Sequence, residues 1–233
     1  MNGSNDRRAP TAGVGSKSRT GQLRAAAPWA VVGILLVIGV AVWLRFSVGG
    51  PFGPDEWWHG IATVSRGSMP YAIAVFFAEI GGGVGAAACS AIAVALLVTM
   101  RRGRDAAALA TAMALGVASS EVMKALVMRP RPWDRLYEAS GSSFPSGHSL
   151  GAAALAVSLA LVIAYSPTRT PISAKWAWTL AAIWILLMMW SRTALHVHWL
   201  SDTLAGAVLG TCVAILSRRF WFRNAPAAPQ LAR

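Results

Sequence analysis

Residues 29–46 read WAVVGILLVIGVAVWLRF, an apolar run whose one charged residue, Arg45, lies near its end. A helix of this length reaches across most of the roughly 30 Å hydrocarbon core of a bilayer. The apolar region of a cleaved signal peptide is usually shorter, about 7–15 residues. The run therefore predicts a retained transmembrane helix in a membrane protein.

The composition of the whole chain agrees with this prediction. The 233 residues are 55% hydrophobic and 13% charged, with a mean hydropathy of +0.51, whereas soluble domains have about 25% charged residues. These values exclude a disordered chain. The presence of only two cysteines excludes a disulfide-stapled scaffold and a cysteine-rich zinc module. The net charge of +12 comes from short basic clusters between apolar runs, so we predict a membrane and no nucleic acid as partner.

Five more apolar segments follow the first, and they cover residues 71–100, 106–127, 150–165, 176–189 and 200–216. All are continuous runs, which argues against the alternating strands of a membrane β-barrel. The segment 71–100 is longer than one span requires and contains several glycines, so we expect it to be kinked or tilted. These glycines are Gly81, Gly82, Gly83 and Gly85. The predicted fold is an all-α polytopic membrane bundle of six transmembrane helices.

The membrane domain is predicted to occupy residues 28–223, between a disordered tail of residues 1–27 and a flexible tail of residues 224–233. Cytoplasmic loops are rich in Lys and Arg. If the N-terminus is cytoplasmic, the inner segments contain 14 of the 21 cations and the outer segments contain 7. Both termini are therefore predicted to be cytoplasmic, in the cell membrane. Trp57, Trp58 and Ile61 are predicted to form a short amphipathic helix on the outer surface.

The first of three polar clusters lies at the predicted outer end of the third helix, where Lys124 is followed by Arg131 and Pro132. An ammonium and a guanidinium that leave the membrane together suit a compact polyanion such as phosphate. The alternative is a basic loop that rests on anionic lipid headgroups. Glu121 precedes Lys124 by three residues, and we expect the two to form an ion pair.

The second cluster is FPSGHS at residues 144–149, directly before the fourth helix. Ser146 could cap this helix, and Gly147 would let a ligand approach the backbone. Free N–H groups at a helix start bind anions, and His148 could exchange a proton with such an anion. The alternative is a simple cap beside an incidental surface histidine.

The third cluster runs from Arg192 to Asp202. His198 and Asp202 are four residues apart, so they share one helix face. A carboxylate there could hold one ring nitrogen as N–H and leave the other free to attack an electrophile. A structural histidine–carboxylate bond is the alternative. His196 has no acid at this spacing and is interpreted as an interfacial histidine beside Trp199.

Together the three clusters resemble the signature of the type 2 phosphatidic acid phosphatase superfamily, membrane lipid phosphatases related to soluble vanadium haloperoxidases. The signature consists of Lys-x6-Arg-Pro, Pro-Ser-Gly-His and Ser-Arg-x5-His-x3-Asp. It is matched in order and without departure by Lys124, Arg131 and Pro132, by Pro145, Ser146, Gly147 and His148, and by Ser191, Arg192, His198 and Asp202. The resemblance covers about residues 71–218.

The residues of the three clusters are the parts needed for phosphoryl transfer without a metal ion, and no cofactor is expected. The resemblance implies that the transfer passes through a phosphohistidine. His198 would be the nucleophile and Asp202 would orient its ring. His148 would protonate the leaving oxygen and then activate water. The residues expected to hold the phosphoryl oxygens are Lys124, Arg131, Ser146, Gly147 and Arg192.

The predicted function is hydrolysis of a lipid phosphomonoester or diphosphate on the extracytoplasmic face. Candidate substrates are a polyprenyl diphosphate such as undecaprenyl diphosphate, phosphatidic acid, phosphatidylglycerol phosphate and a prenyl-linked sugar phosphate, because the motif recognises only the phosphate. The alternative is lipid-phosphate binding or transport without hydrolysis. A transporter, however, would place charges near the bilayer centre. The sequence leaves open the oligomeric state and the roles of Glu79 and of the loop 45–70.

Overall fold

The computed structural model describes residues 14–47, 50–166 and 168–223, and all regular structure in these ranges is helical. The eight helices are α1 (Val14–Phe46), α2 (Gly53–Ile61), α3 (Met69–Gly81), α4 (Gly83–Thr99), α5 (Gly103–Val127), α6 (Gly147–Ala164), α7 (Pro171–Ala194) and α8 (Leu200–Phe222). The all-α prediction is therefore confirmed for the described residues. The short helix predicted at Trp57, Trp58 and Ile61 is α2.

Five helices, α1 and α5 to α8, are long and apolar enough to cross a membrane. The bent pair α3 and α4 makes a sixth span if the two helices are counted together. Large apolar side chains point away from the bundle, for example Leu36, Val117 and Leu186, each at least 60% exposed. Exposed apolar surface of this extent suits contact with lipid.

Helix α1 begins earlier than the sequence predicted. The tail predicted to be disordered ended at residue 27, whereas the helix starts at Val14. Residues 23–27 are Leu, Arg and Ala, which all have high helix propensity. Leu23 is buried against Ala112 and Leu161 of the bundle, and this packing extends the helix. The predicted tail segments 1–13 and 224–233 lie outside the described residues.

The predicted kink in the second apolar segment is confirmed. Helices α3 and α4 meet at Gly82 with a bend of 58°. A Cβ atom at Gly85 would overlap the carbonyl oxygen of Ile80, and one at Gly81 would overlap the side chain of Met188 in α7. Because a backbone carbonyl cannot move aside cheaply, the bend requires glycine at position 85.

Helices α6 and α8 pack closely at the centre of the bundle. A Cβ atom at Gly206 of α8 would overlap the carbonyl oxygen of Ser146, and one at Gly210 would overlap that of Leu150. The backbone N–H of Ser146 also donates a hydrogen bond to the carbonyl of Asp202 at 3.0 Å. This contact holds the first turn of α8 against the start of α6.

The substitution Gly206→Ala tests this packing. Its methyl group would enter the α6–α8 contact, and overpacking of this kind costs about 1–3 kcal/mol of unfolding free energy. Thermal unfolding of the purified protein in detergent should show the loss. Gly39→Ala is the matched control, because an added Cβ there meets nothing within 4 Å. Equal stability of the two variants would contradict the packing argument.

Candidate active site

The ends of α5 and α7 and the starts of α6 and α8 meet at one end of the bundle, beside the loop 128–146. A cavity of about 300 Å³ opens there, and residues of all three sequence clusters line it. The predicted site residues that line it are Lys124, Arg131, Gly147, His148, Arg192 and His198. Ser146 and Asp202 are fully buried and lie outside its lining.

His198 lies in the turn between α7 and α8 and is 4% exposed. Its Nδ1 lies 2.7 Å from the carbonyl oxygen of Ser143 and donates a hydrogen bond to it. Its Nε2 is 3.2 Å from Nη1 of Arg131. Burial lowers the pKa of His198 to about 4 despite the opposing carboxylate of Asp202, and the positive charges of Arg131 and Arg192 add to the effect of burial. The ring is therefore neutral at neutral pH, with its lone pair on Nε2.

The structure corrects the predicted role of Asp202. The two residues share one helical turn, but Oδ2 of Asp202 is 3.7 Å from Nδ1 of His198, too far for a hydrogen bond. The carboxylate instead accepts hydrogen bonds from Nη1 of Arg129 at 2.6 Å and from the backbone N–H of Trp199 at 2.8 Å. The carbonyl of Ser143 fixes the ring, and Asp202 acts on it through its charge.

Arg129, which the sequence analysis did not assign to the site, is the centre of a buried charge network. Besides Asp202, its guanidinium donates to Oδ2 of Asp55 at 2.8 Å and to Oγ of Ser201 at 2.8 Å. Asp55 in α2 also accepts from the backbone N–H of Ser201 at 2.8 Å. The network thus joins α2, the loop 128–146 and the first turn of α8. Asp55 and Arg129 are 74 positions apart in sequence, so no local spacing could have paired them.

Arg192 is only 2% exposed, and its Nε and Nη1 have no hydrogen-bond partner among the described residues. Its guanidinium lies 5.7 Å from the ring centre of Tyr137. Buried donors without a partner cost free energy. Arg192 lines the cavity, so an anion bound there would lie beside its guanidinium.

Arg131 has its donors largely occupied by backbone carbonyls. Its Nη1 donates to Val197 at 2.6 Å, and its Nη2 donates to Ser140 at 2.8 Å and to Ser142 at 3.1 Å. Burial lowers the pKa of Arg131, against the opposing charge of Asp202, but the guanidinium remains a cation near neutral pH. Arg131 therefore ties the loop to the turn that carries His198 and adds positive charge beside Nε2.

Lys124 lies at the end of α5, and its Nζ is 2.8 Å from Oε1 of Glu121. This confirms the predicted ion pair. The same Nζ lies 3.5 Å from the position that a Cβ at Gly147 would take. The ammonium group therefore lies against the N-terminus of α6, where the helix dipole also favours an anion.

Ser146 is the N-cap of α6, as the sequence predicted, and its Oγ accepts from the backbone N–H of Ser149 at 3.4 Å. Its side chain is fully buried and is not among the residues that line the cavity, and the predicted contact of Ser146 with phosphate stays a prediction. His148 lines the cavity, and its Nε2 lies 3.2 Å from the carbonyl oxygen of Ala78. A Cβ at Gly82 would lie 3.8 Å from this Nε2, so the bend between α3 and α4 lies beside the ring.

Glu79, whose role the sequence left open, accepts a hydrogen bond from the hydroxyl of Tyr137. Both residues line the cavity. The hydrogen bond to Glu79, followed by burial, raises the pKa of Tyr137. Tyr137 therefore stays protonated and lies between a carboxylate and the guanidinium of Arg192.

His196 has an acidic partner that the sequence did not reveal. It is buried, and its Nδ1 lies 3.0 Å from Oδ2 of Asp134, a residue 62 positions earlier. Nε2 of His59 is 3.1 Å from the same oxygen. Burial lowers the pKa of His196, and the charge of His59 adds to this effect. The interpretation of His196 as an interfacial histidine is therefore incomplete, since it belongs to a polar group of three.

Comparisons with known proteins agree with this architecture. Residues 105–226, just over half of the chain, match the model of the PAP2 superfamily. An undecaprenyl-diphosphatase of Sulfolobus acidocaldarius is 34% identical over 116 residues, which are 46% of this chain and 48% of that protein. The chain thus matches about half the length of this curated relative.

Two solved structures share the fold. One is a transmembrane PAP2-type phosphatidylglycerolphosphate phosphatase from Bacillus subtilis, with a TM-score of 0.73 and 23% identity over 84% of this chain and 98% of that chain. The other is LpxE of Aquifex aeolicus, with a TM-score of 0.58 and 20% identity over 71% of this chain and 95% of that chain.

Replacement of Arg129 by methionine tests the charge network. The substitution would leave Asp55 and Asp202 buried without their cation, and breaking a buried ion pair costs about 3–5 kcal/mol. Unfolding of the purified protein in detergent should therefore begin at a clearly lower temperature. Arg135→Met is the control, because Arg135 is exposed and lies in the same loop. An Arg129→Met protein as stable as this control would contradict the assigned network.

Proposed function

This chain belongs to the PAP2 superfamily, and from that premise we propose that it is a membrane enzyme that removes a phosphate group from a lipid. The family match confirms the resemblance seen in the three motifs. The observation that carries the proposal is the arrangement of two side chains in one cavity. A neutral imidazole at His198 lies with the buried, unpaired donors of Arg192. A nucleophile beside unsatisfied cationic donors suits an electrophilic anion, and a phosphoryl group is one.

In the proposed first step, Nε2 of His198 attacks phosphorus in line with the leaving oxygen. A nitrogen–phosphorus bond forms, and the bond from phosphorus to the lipid oxygen breaks. His148 gives a proton to the departing oxygen. Because Nδ1 of His198 already donates to the carbonyl of Ser143 at 2.7 Å, the lone pair is on Nε2. The ring becomes cationic, and the carboxylate of Asp202 at 3.7 Å stabilises that charge.

In the second step, water attacks the phosphohistidine and His148 accepts its proton. The nitrogen–phosphorus bond breaks, and inorganic phosphate leaves. The negative charge on the phosphoryl oxygens is greatest near the transition states of both steps. Lys124, Arg131 and Arg192 supply the compensating positive charge. The backbone N–H groups at Gly147, at the N-terminus of α6, also bind the phosphoryl oxygens. Ser146 contributes by capping that helix.

The substrate is proposed to be a lipid phosphate. The cavity lies at helix ends, where a lipid headgroup would meet the protein. A second cavity of about 660 Å³ adjoins it and shares Tyr137, Glu138, Ala139 and Ser140, which gives space for the rest of a headgroup. The name of the Sulfolobus relative contains a polyprenyl diphosphate, and the name of the Bacillus structure contains a phosphorylated phospholipid. Both names support this substrate class.

Phosphate release by the purified protein from a panel of lipid phosphates in detergent separates catalysis from binding or transport alone. The panel should contain a polyprenyl diphosphate, phosphatidic acid and phosphatidylglycerol phosphate. We expect turnover of at least one of them and loss of that turnover in His198→Ala. Binding of these lipids without any phosphate release would favour the non-catalytic alternative.

The dependence of the rate on pH tests the state of His198. Its pKa is lowered from 6.5 to about 4, so the ring becomes protonated, and loses its nucleophilic lone pair, only in acid. At low substrate concentration the rate should therefore fall below about pH 4–5 rather than below about pH 6.5. An acid limb near pH 6.5 that belongs to His198 would contradict the buried, neutral ring.

The site is proposed to face away from the cytoplasm. Counting α3 and α4 as one span gives six crossings and puts both described chain ends at the bundle end opposite the cavity. That opposite end is rich in arginine, as the positive-inside rule requires of a cytoplasmic face. The arginines there are Arg101, Arg102, Arg104, Arg169, Arg218, Arg219 and Arg223.

Cysteine labelling tests this orientation. Ser65 lies in the loop between α2 and α3, Thr168 lies in the loop between α6 and α7, and both are exposed. In a background without Cys89 and Cys212, Ser65→Cys should react with a membrane-impermeant thiol reagent in intact cells. Thr168→Cys should react only after the membrane is broken. The reverse pattern would overturn the proposed sidedness.

A further inference from the structure

A second group of chemically active side chains lies beside the catalytic cavity. His59 comes from α2, Asp134 from the loop 128–146, and His196 from the turn between α7 and α8. Oδ2 of Asp134 is 3.1 Å from Nε2 of His59 and 3.0 Å from Nδ1 of His196. The three ligand atoms all lie within 4.8 Å of one another. None of the three residues lines the catalytic cavity.

We propose that this His59–Asp134–His196 triad binds a divalent transition-metal ion, with zinc as the best match. Zinc binds histidine nitrogen and carboxylate oxygen at about 2.0–2.2 Å, so in a tetrahedral site its ligand atoms lie about 3.3 Å apart. The two measured nitrogen–oxygen distances are already close to this separation. The two imidazole nitrogens lie within 4.8 Å of each other, and a fourth position stays open to water.

The surroundings of the triad favour a bound ion over a simple pair of hydrogen bonds. Both imidazoles point at one and the same carboxylate oxygen, and their ring centres are 3.9 Å apart. The side chain of Asp134 is 43% exposed, so an ion can enter from the surface.

Two tryptophan rings lie beside His59, one of the proposed ligands. The ring centre of His59 lies 5.7 Å from that of Trp133 and 5.5 Å from that of Trp199. Apolar rings around a metal site limit access of solvent and strengthen the attraction between the ion and its ligands. One carboxylate and two neutral imidazoles leave a divalent ion with a net charge of about +1, which the open position and the surface can accommodate.

The ion would connect the two segments that carry the phosphatase machinery. Asp134 follows Arg131 by three residues, and His196 precedes His198 by two. His59 anchors both of them to α2. A bound ion would therefore fix the loop of Arg131 against the turn of His198 without contact with the phosphate. Its role is positional, and it adds no metal ion to the reaction proposed above.

Metal titration of the purified full chain tests the proposal directly. The protein is treated with a chelator, exchanged into chelator-free detergent buffer and titrated with Zn²⁺ by calorimetry and with Co²⁺ by visible absorption. We expect one equivalent to bind, a rise in unfolding temperature with Zn²⁺, and the intense Co²⁺ bands of a site with four ligands. His196→Ala and Asp134→Asn should lose all three signals.

Glu56→Gln is the matched control, because Glu56 is an exposed carboxylate on the same helix as His59, and it should bind like the parent. His59→Ala, in which the replaced side chain is half-buried, provides a second loss-of-binding variant if His196→Ala does not fold. No stoichiometric binding by the parent, or binding that persists in Asp134→Asn, would overturn the proposal. Loss of binding only in His198→Ala would also overturn it, by placing the ion in the catalytic cavity. None of these readouts requires phosphatase activity, so they stand apart from the proposed function.

Discussion

The buried guanidinium of Arg129 is the constraint on which the site depends. It lies between two carboxylates, Asp202 at 2.6 Å and Asp55 at 2.8 Å, and all three side chains are almost completely buried. Each of these ions would cost several kcal/mol to bury alone. Removal of any one of them would therefore leave a buried charge without its partner. Through this group α2 and the loop 128–146 are fixed to the first turn of α8. His198 lies directly before that turn, and its position follows from the same contacts.

The electrostatics of the cavity follow from this buried group of three ions. The carboxylate of Asp202, which is close to His198, shares the guanidinium of Arg129 with Asp55, while Arg131 and Arg192 place positive charge near the ring. Burial and these cations keep the imidazole neutral, with its pKa lowered to about 4. Arg192, whose Nε and Nη1 have no partner among the described residues, lines the same cavity and adds its positive charge there. The same arrangement that keeps the nucleophile unprotonated therefore attracts a phosphate group to it.

Local sequence patterns predicted the parts of the structure that depend on local physics. Apolar run length predicted the spans, the glycines at 81–85 predicted the bend, and the spacing of Glu121 and Lys124 predicted their ion pair. The three motifs supplied six of the thirteen residues that line the cavity. What the sequence missed depends on contacts made only by the folded chain: the 74-residue separation of Asp55 and Arg129, and the 62-residue separation of Asp134 and His196. The burial of Ser146 and the 3.7 Å gap between Asp202 and His198 are likewise consequences of packing.

The central claim is that Nε2 of His198 accepts the phosphoryl group from a lipid. A His148→Ala protein keeps this nucleophile but lacks the group proposed to protonate the leaving oxygen and to activate water. With a phosphate ester that the parent hydrolyses and whose leaving group needs no proton, such as p-nitrophenyl phosphate, the phosphorylated intermediate should therefore accumulate. The mixture is quenched in alkali, where phosphohistidine is stable, and the peptides of the protein are analysed by mass spectrometry. The account predicts phosphate on His198 in the His148→Ala protein. It predicts no phosphate on the double variant that carries both His148→Ala and His198→Ala. Phosphate on another residue, or a catalytically active parent with no phosphorylated intermediate under any trapping condition, would contradict it.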